Sequence, residues 1–298
     1  MKTKILISLI VLLIITLQLP AQEPVKLGVF ADCQYCDCDP NTGMNRYYRN
    51  SLQKMEDCIT EYNRDAEIRF VVGLGDLIDR DFASFDPVIN ILRKSKRRVY
   101  HVTGNHDLEV EKPMLEVVPR KLNMKHTYYT VRKENWQFIF LDGNEITTKS
   151  NDPEIVAQAN AWMKKLKDEG KRNGQTYNGG ISETQLQWLE EQLKTAEKKN
   201  RNVVLFCHFP LLPEIAEVLW NAEEVIPLLE KYSCVKAWIN GHYHAGNYAE
   251  QNGIHYINLK GMVDTEDQNA YSIITFSNAS INIKGFGREE SRTLFVRQ

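Results

Sequence analysis

Short apolar runs recur along the chain, and most of them end at a polar cluster. The runs are rich in Val, Ile and Phe, as expected of β-strands that are buried on both faces. The predicted strands are Val25–Ala31, Ile68–Leu74, Arg98–Val102, Phe138–Leu141, Val203–Cys207 and Val235–Ile239. Segments with apolar residues at helical spacing lie between them, namely Tyr47–Asn63, Pro87–Leu92, Pro153–Leu166 and Gln185–Lys199. Alternating strands and helices predict a layered α/β fold.

The end of the chain follows a different pattern. Four short apolar runs succeed one another with turn residues and no predicted helix between them: Ile254–Leu259, Tyr271–Phe276, Ile281–Lys284 and Thr293–Val296. Successive strands joined by turns favour antiparallel pairing. We therefore expect an antiparallel addition to a largely parallel sheet.

The first residues form a separate segment. Lys2 and Lys4 precede an apolar run from Ile5 to Leu19, and a small residue, Ala21, stands before a polar stretch. This order is typical of a secretory signal peptide. We expect residues 1–21 to be removed and residues 22–298 to form one exported domain, periplasmic or secreted, without a stable membrane span. The alternative is an uncleaved anchor, because the run is only slightly shorter than the roughly 17 residues that span a bilayer.

Composition limits the partners of the mature chain. The full sequence has 298 residues, of which 43% are hydrophobic and 26% charged, and this is ordinary for a globular enzyme. Removing Lys2 and Lys4 leaves 35 basic residues against 39 acidic ones. Since binding of nucleic acid requires a basic face, nucleic acid is not the expected partner.

Three cysteines lie close together, at positions Cys33, Cys36 and Cys38. They could bind zinc, but no second cysteine pair stands at the spacing of a zinc ribbon. They could also carry thiol redox chemistry, but Pro40 and Gly43 predict a loop where a redox motif would open a helix.

The polar clusters that follow the predicted strands contain oxygen and imidazole donors. In chain order they are Asp32-Cys33-Gln34, Gly75-Asp76-Leu77-Ile78-Asp79, Gly104-Asn105-His106-Asp107, Cys207-His208 and Gly241-His242-Tyr243-His244. Ligands of open α/β sheets bind at the carboxyl ends of the strands, so these distant segments can converge on one site. Such donors suit Mn²⁺, Fe or Zn²⁺, and we expect Asp79 to support the loop that holds Asp76.

In this order and spacing, the clusters resemble the calcineurin-like metallophosphoesterase superfamily. The resemblance implies an α/β (α+β) four-layer sandwich, in which two mixed β-sheets are flanked by helices and two metal ions lie at one edge. By the resemblance, Asp76 bridges both ions. Asp32, Gln34 and His244 complete the first ion's ligands, and Asn105, His208 and His242 complete the second's. His106 then stands beside the substrate phosphate, oriented by Asp107.

Gln34 departs from the superfamily pattern, which has a histidine at this place. A neutral amide should hold the first ion more loosely and favour the harder Mn²⁺ or Mg²⁺. The segment around Gln34, together with Tyr177-Asn178-Gly179-Gly180-Ile181, is similar to the Mn²⁺-dependent ADP-ribose/CDP-alcohol diphosphatases. This resemblance implies hydrolysis of nucleotide-linked diphosphates by a metal-activated hydroxide, with Mn²⁺ favoured over Fe, Zn²⁺ or Mg²⁺. Tyr35 and Arg46 are candidate substrate contacts.

Other functions remain open at this stage. The same chemistry could act on phosphomonoesters or general phosphodiesters, and a metal-stabilised envelope protein could bind a ligand without turnover. An extra histidine beside an open donor set favours catalysis, since a closed structural site needs neither.

Overall fold

Two mixed β-sheets of six strands each form the centre of the structure, a computed structural model that describes residues 23–297. The strands are β1 (Val25–Phe30), β2 (Ile68–Gly73), β3 (Val99–His101), β4 (Tyr129–Lys133), β5 (Trp136–Phe140), β6 (Asn202–Phe206), β7 (Val235–Asn240), β8 (Asn247–Gln251), β9 (Ile254–Asn258), β10 (Ala270–Phe276), β11 (Ser280–Gly287) and β12 (Arg292–Phe295). The helices are α1 (Ser51–Arg64), α2 (Phe85–Leu92), α3 (Val118–Lys121), α4 (Pro153–Asp168), α5 (Glu183–Lys198) and α6 (Ala222–Glu230).

Each sheet combines a parallel centre with antiparallel additions. The first sheet has the order β12-β11-β10-β1-β2-β3, in which β1, β2 and β3 are parallel and β10 to β12 are antiparallel. The second has the order β4-β5-β6-β7-β9-β8, in which only the edge strands β4 and β8 run antiparallel to their neighbours. Helices cover the outer faces, so the predicted four-layer sandwich is confirmed.

An aromatic cluster fills the space between the sheets. Phe138 of β5 lies edge-on to Phe70 of β2 at 5.2 Å and to Phe276 of β10 at 5.4 Å between ring centroids. These side chains are buried, as are Trp136 and Phe206 beside them. Since both faces of the central strands are covered, their sequences are apolar runs without polar alternation.

The sequence pattern predicted that the four tail strands pair antiparallel in one sheet, and this prediction was wrong. β10, β11 and β12 pair antiparallel in the first sheet, but β9 joins the second sheet parallel to β7. The pattern also missed β4 and β8, whose partly exposed edge positions carry polar residues, and α6, which contains Pro227. Local sequence identifies a strand, but its pairing partner is chosen by the whole sheet.

The carboxyl ends of the central strands meet at one edge of the sandwich. The segment after β9 joins the end of β1, where Met262 N donates to Ala31 O and Val263 N donates to Asp32 O, both at 3.0 Å. Gly241 N, after β7, donates to His208 O after β6 at 3.1 Å. These bonds hold the loops of the two sheets in a fixed relation.

The predicted signal peptide, residues 1–21, lies outside the described residues. Among the residues that are described, 23–297, no helix combines the length and apolar character that a membrane crossing requires. Within the same range Cys36 and Cys38 form a disulfide, while Cys33 packs separately beneath α1. The three sulfurs therefore do not form the zinc site that their spacing allowed.

Replacement of Phe138 should test the shared core. Phe138→Ala is expected to lower the free energy of unfolding by about 3–5 kcal/mol, because a large cavity opens between the sheets. Phe295→Ala is the control, since Phe295 is 78% exposed and should change stability little. Chemical denaturation of both variants measures the difference, and equal small effects would contradict a core shared by both sheets.

Candidate metal centre and active site

Three donor side chains from separate strand ends form the centre of the site. Donor atoms of Asp76, His208 and His242 all lie within 4.8 Å of one another. His208 Nε2 is 3.3 Å from Asp76 Oδ2 and 3.1 Å from His242 Nδ1. Asn105 Oδ1 lies 3.1 Å from the same His208 nitrogen. The structure thus brings together the four residues assigned by resemblance to the second ion.

The residues assigned to the first ion also lie close to Asp76 and to one another. Gln34 Nε2 donates to Asp76 Oδ2 at 3.0 Å, and His244 Nε2 lies 3.8 Å from Asp32 Oδ1. Asp32 also accepts a hydrogen bond from the backbone N–H of His242 at 3.1 Å, which links the two groups. Asp76 therefore contacts a member of each group, Gln34 and His208, as a bridging carboxylate would. The role of each residue as a ligand stays a prediction.

Each of the three histidines has one ring nitrogen committed to an oxygen acceptor. His208 Nδ1 lies 2.8 Å from Leu74 O, His242 Nε2 lies 3.0 Å from Asn178 Oδ1, and His244 Nδ1 lies 2.8 Å from Asp264 Oδ1. Outer partners of this kind orient metal-binding histidines and fix their tautomers. The opposite nitrogen of each ring is thereby directed into the donor cluster.

The donor set fits two divalent cations. Gln34 Oε1 is buried without a hydrogen-bond partner, and such an orphan acceptor is costly unless a cation satisfies it. Carboxylate, amide and imidazole donors suit Mn²⁺ and its neighbours. Asp32, Gln34, Asp76 and His244 would hold one ion, and Asp76, Asn105, His208 and His242 would hold the other.

The pKa shifts of the clustered side chains also favour a bound cation. Burial would raise the pKa of Asp76, but the His208 and His106 rings outweigh burial and hold that pKa well below its usual value. Burial would lower the pKa of His208, but the Asp76 carboxylate outweighs it and raises that pKa to about 9. Burial and the neighbouring His208 hold the pKa of His242 well below its usual value, so this ring is neutral and able to bind a metal. The site therefore favours positive charge next to Asp76.

The backbone at the site adopts conformations that few side chains tolerate. Asp32, Gln34, Asp76 and His242 have φ angles of 51°, 43°, 50° and 70°. Left-handed backbone at non-glycine residues persists where the surrounding structure enforces it, often at functional sites. Gly104 has a steric reason, because a Cβ atom there would lie 2.1 Å from Asp76 Oδ1. The strand ends thus turn sharply enough to direct their side chains at a common point.

His106 lies beside the metal cluster and faces the cavity. Its backbone N–H donates to Asp76 Oδ1 at 2.7 Å, and its ring Nδ1 is 3.3 Å from Asp79 Oδ1 and 3.7 Å from Glu109 Oε2. Burial opposes protonation of the ring, but Asp76, Asp79 and Glu109 outweigh it and raise the pKa of His106. Lys149 Nζ in turn donates to Glu109 Oε1 at 2.6 Å. Asp79, the second carboxylate of the Gly75–Asp79 motif, therefore orients His106.

Asp107 does not orient His106, contrary to the prediction. Its carboxylate accepts hydrogen bonds from the backbone N–H groups of Leu77 and Gly104, at 2.8 and 2.9 Å. It therefore shapes the two loops that carry Asp76 and Asn105. Burial and the nearby Asp76 raise the pKa of Asp107 to about 7.

A cavity of about 690 Å³ opens above the metal cluster. Arg46 lines it, as predicted, but Tyr35 does not; Tyr35 is 8% exposed and packs with the apolar residues beneath α1. Sequence reasoning missed further lining residues, among them Arg80, Glu109, Glu217 and Asp264. No local motif marked them, because they come from loops that meet only in the folded chain. Asn178 was within a noted motif, but its contact with His242 was not foreseen.

Replacement of Gly104 should displace Asp76 without removing any donor. Gly104→Ala is expected to weaken Mn²⁺ binding by about 10- to 100-fold, because the new Cβ cannot coexist with Asp76 Oδ1 in its present position. Gly43→Ala is the matched control, since its Cβ would meet no atom closer than 3.5 Å. Titration calorimetry with Mn²⁺ compares them, and normal affinity in Gly104→Ala would argue against this packing.

Comparison with known proteins identifies the family. The family model for calcineurin-like phosphoesterases matches residues 25–246. The chain is 29% identical to the manganese-dependent ADP-ribose/CDP-alcohol diphosphatase of Arabidopsis thaliana, over 82% of this chain and 88% of that one. The mouse (Mus musculus) protein of the same name is 28% identical, over 92% and 94%. A dimetal phosphatase from Danio rerio superposes with a TM-score of 0.82 at 25% identity, covering 92% of this chain and 100% of that chain. The chain belongs to the calcineurin-like phosphoesterase family and is a metal-dependent hydrolase.

Proposed function

We propose that this protein hydrolyses the phosphoanhydride bond of nucleotide-linked diphosphates, of the ADP-ribose or CDP-alcohol type. The observation that carries the proposal is the cluster around Asp76, which opens onto a cavity where His106 lies beside the donors. Relatives that cover most of the chain are named as manganese-dependent diphosphatases for these substrates. A neutral Gln34 in place of an imidazole accords with Mn²⁺ as the favoured ion.

Different residues of the chain bind the substrate phosphates and stabilise the charge of the transition state. When bound, two divalent ions supply an activated water and neutralise charge on the phosphoryl oxygens. Arg46 and Arg80 line the same cavity and supply positive charge for the second phosphate. Asp79 and Glu109 favour the protonated form of His106, so that this ring can stabilise the equatorial oxygens of the transition state.

The leaving group decides how much proton transfer His106 must supply. An alkoxide or aryloxide leaves more readily when a general acid protonates it. A leaving phosphate is stable without a proton, so a diphosphate needs mainly the positive charge of the ring. The rate of hydrolysis should therefore depend more on His106 for a substrate with an alkoxide or aryloxide leaving group than for a diphosphate.

A substrate and metal panel tests the proposed activity. The purified protein should hydrolyse ADP-ribose and CDP-choline in preference to cyclic nucleotides and aryl phosphates, with Mn²⁺ more effective than Mg²⁺ or Zn²⁺. A chelator should abolish the activity, because the buried acceptors hold the ions that the reaction needs. Phosphate-release and chromatographic assays measure the rates. Preference for a phosphomonoester would change the substrate class, and chelator-resistant hydrolysis would reject the metal mechanism.

Variants of His106 and its partner separate proton transfer from positioning. His106→Ala should lower kcat for an aryl phosphodiester by about 10²- to 10⁴-fold, and by less for a diphosphate. Asp79→Asn should give a smaller loss, since it keeps the ring but weakens its orientation. Asp81→Asn is the control, because it makes the same acid-to-amide change two residues away, at an exposed position. Unchanged kcat for both substrates in His106→Ala would exclude the assigned role.

We also propose that the protein is exported after removal of residues 1–21. The basic start and apolar run of that segment support export, and so does the disulfide between Cys36 and Cys38, because disulfides persist mainly in oxidising compartments. Mass spectrometry of the native protein should find a mature N-terminus near Ala21 or Gln22. An intact N-terminus at Met1 in the native protein would contradict cleavage.

A further inference from the structure

Asn178 is held in a single orientation beside the metal cluster. Its side chain is buried, with 1% of the residue exposed. The side-chain amide Nδ2 donates to two backbone carbonyls, Asn173 O at 2.9 Å and Ala216 O at 2.7 Å. The reversed amide would place its oxygen against both carbonyl oxygens, so the observed orientation is the one that satisfies all partners. Asn178 Oδ1 must therefore face away from these carbonyls.

The fixed amide oxygen determines which nitrogen of His242 carries the hydrogen. Asn178 Oδ1 lies 3.0 Å from His242 Nε2, and an amide oxygen can only accept a hydrogen bond. Nε2 of the neutral ring is therefore protonated, and Nδ1 is left with a free lone pair. That Nδ1 is the atom that lies 3.1 Å from His208 Nε2 within the cluster.

The two sides of the metal cluster are supported by different groups. His244 is held by a carboxylate, Asp264, whose backbone carbonyl is in turn bonded by Lys54 Nζ at 2.9 Å. His242 is held by the neutral amide of Asn178, which belongs to a different loop. A change at Asn178 can therefore act on one side of the cluster and leave the other side in place.

We propose that Asn178 is a positioning residue that fixes the tautomer and rotation of His242 and so sets the affinity of the ion held by Asn105, His208 and His242. The proposal rests on the two-ion site of the proposed function. It does not depend on which phosphorylated substrate the cavity accepts. Removal of an outer partner of a metal-binding histidine typically weakens metal affinity by about 10- to 100-fold.

Three variants separate this role from a structural one. Asn178→Leu removes the acceptor and both donor bonds, whereas Asn178→Asp loses the donors but keeps an acceptor for His242. Asn221→Leu is the matched control, because the buried Asn221 amide also ties the same loop, with Nδ2 donating to Ile181 O at 2.9 Å and Oδ1 accepting from Ile181 N at 3.1 Å, but its described contacts include neither Asn178 nor His242. All three variants should lower Tm, since each loses bonds between loops.

Calorimetric titration with Mn²⁺ should distinguish the variants. In Asn178→Leu, one of the two ions is expected to bind about 10- to 100-fold more weakly, while the other keeps its affinity. Asn178→Asp and Asn221→Leu should keep both affinities despite their lower Tm. As a second readout, ¹⁵N NMR of the metal-free wild-type protein should show His242 protonated at Nε2 and bare at Nδ1.

Several results would overturn the proposal. Equal weakening of both ions in Asn178→Leu, or the same weakening in Asn221→Leu, would assign Asn178 a structural role only. A His242 ring protonated at Nδ1 would contradict the tautomer, even if Asn178→Leu failed to fold. A wild-type protein that binds a single Mn²⁺ would remove the basis of the proposal. Two bound ions without diphosphate hydrolysis would instead reject the proposed function and leave the role of Asn178 intact.

Discussion

The structure depends on one electrostatic constraint, which is the burial of several hydrogen-bond acceptors around Asp76. Asp32 and Asp76 are almost inaccessible to solvent, and Gln34 adds an acceptor without a partner. Carboxylates removed from water are stable only beside positive charge. The Asp76 carboxylate raises the pKa of His208, so a protonated ring supplies part of the positive charge that the buried acceptors need. Two divalent cations would supply the rest.

The rest of the fold holds those acceptors in place. Two sheets packed through an aromatic core fix the directions of their strands, and the loops after β1, β2, β6 and β7 meet at one edge. The backbone of Asp32, Gln34, Asp76 and His242 is left-handed, which is unfavourable for side-chain-bearing residues. Packing between the sheets therefore supplies the stability that the strained turns require.

The side chains of the donor cluster are held by specific hydrogen-bond partners behind them. Leu74 O, Asn178 and Asp264 each take one nitrogen of a histidine, so that the other nitrogen is available for a metal. Asp107 fixes two loops through their backbone N–H groups, while Asp79 and Glu109 orient His106. These partners come from loops on both sheets, and they tie the positions of the donor side chains and of His106 to the tertiary fold.

The sequence by itself determined the central strands, the helices between them and the donors at the strand ends. Those features are local, because hydrophobic periodicity and the residues that end a strand are written within short segments. For the same reason Asp32, Asp76 and His208 could be named as candidates before any contact was known. Tertiary structure alone decided that β9 pairs with β7, that Asp107 bonds backbone instead of His106, and that Tyr35 is packed away from the cavity. It also decided that Asp264 and Asn178 support the histidines, because a partner 20 or 64 residues away is chosen by three-dimensional packing.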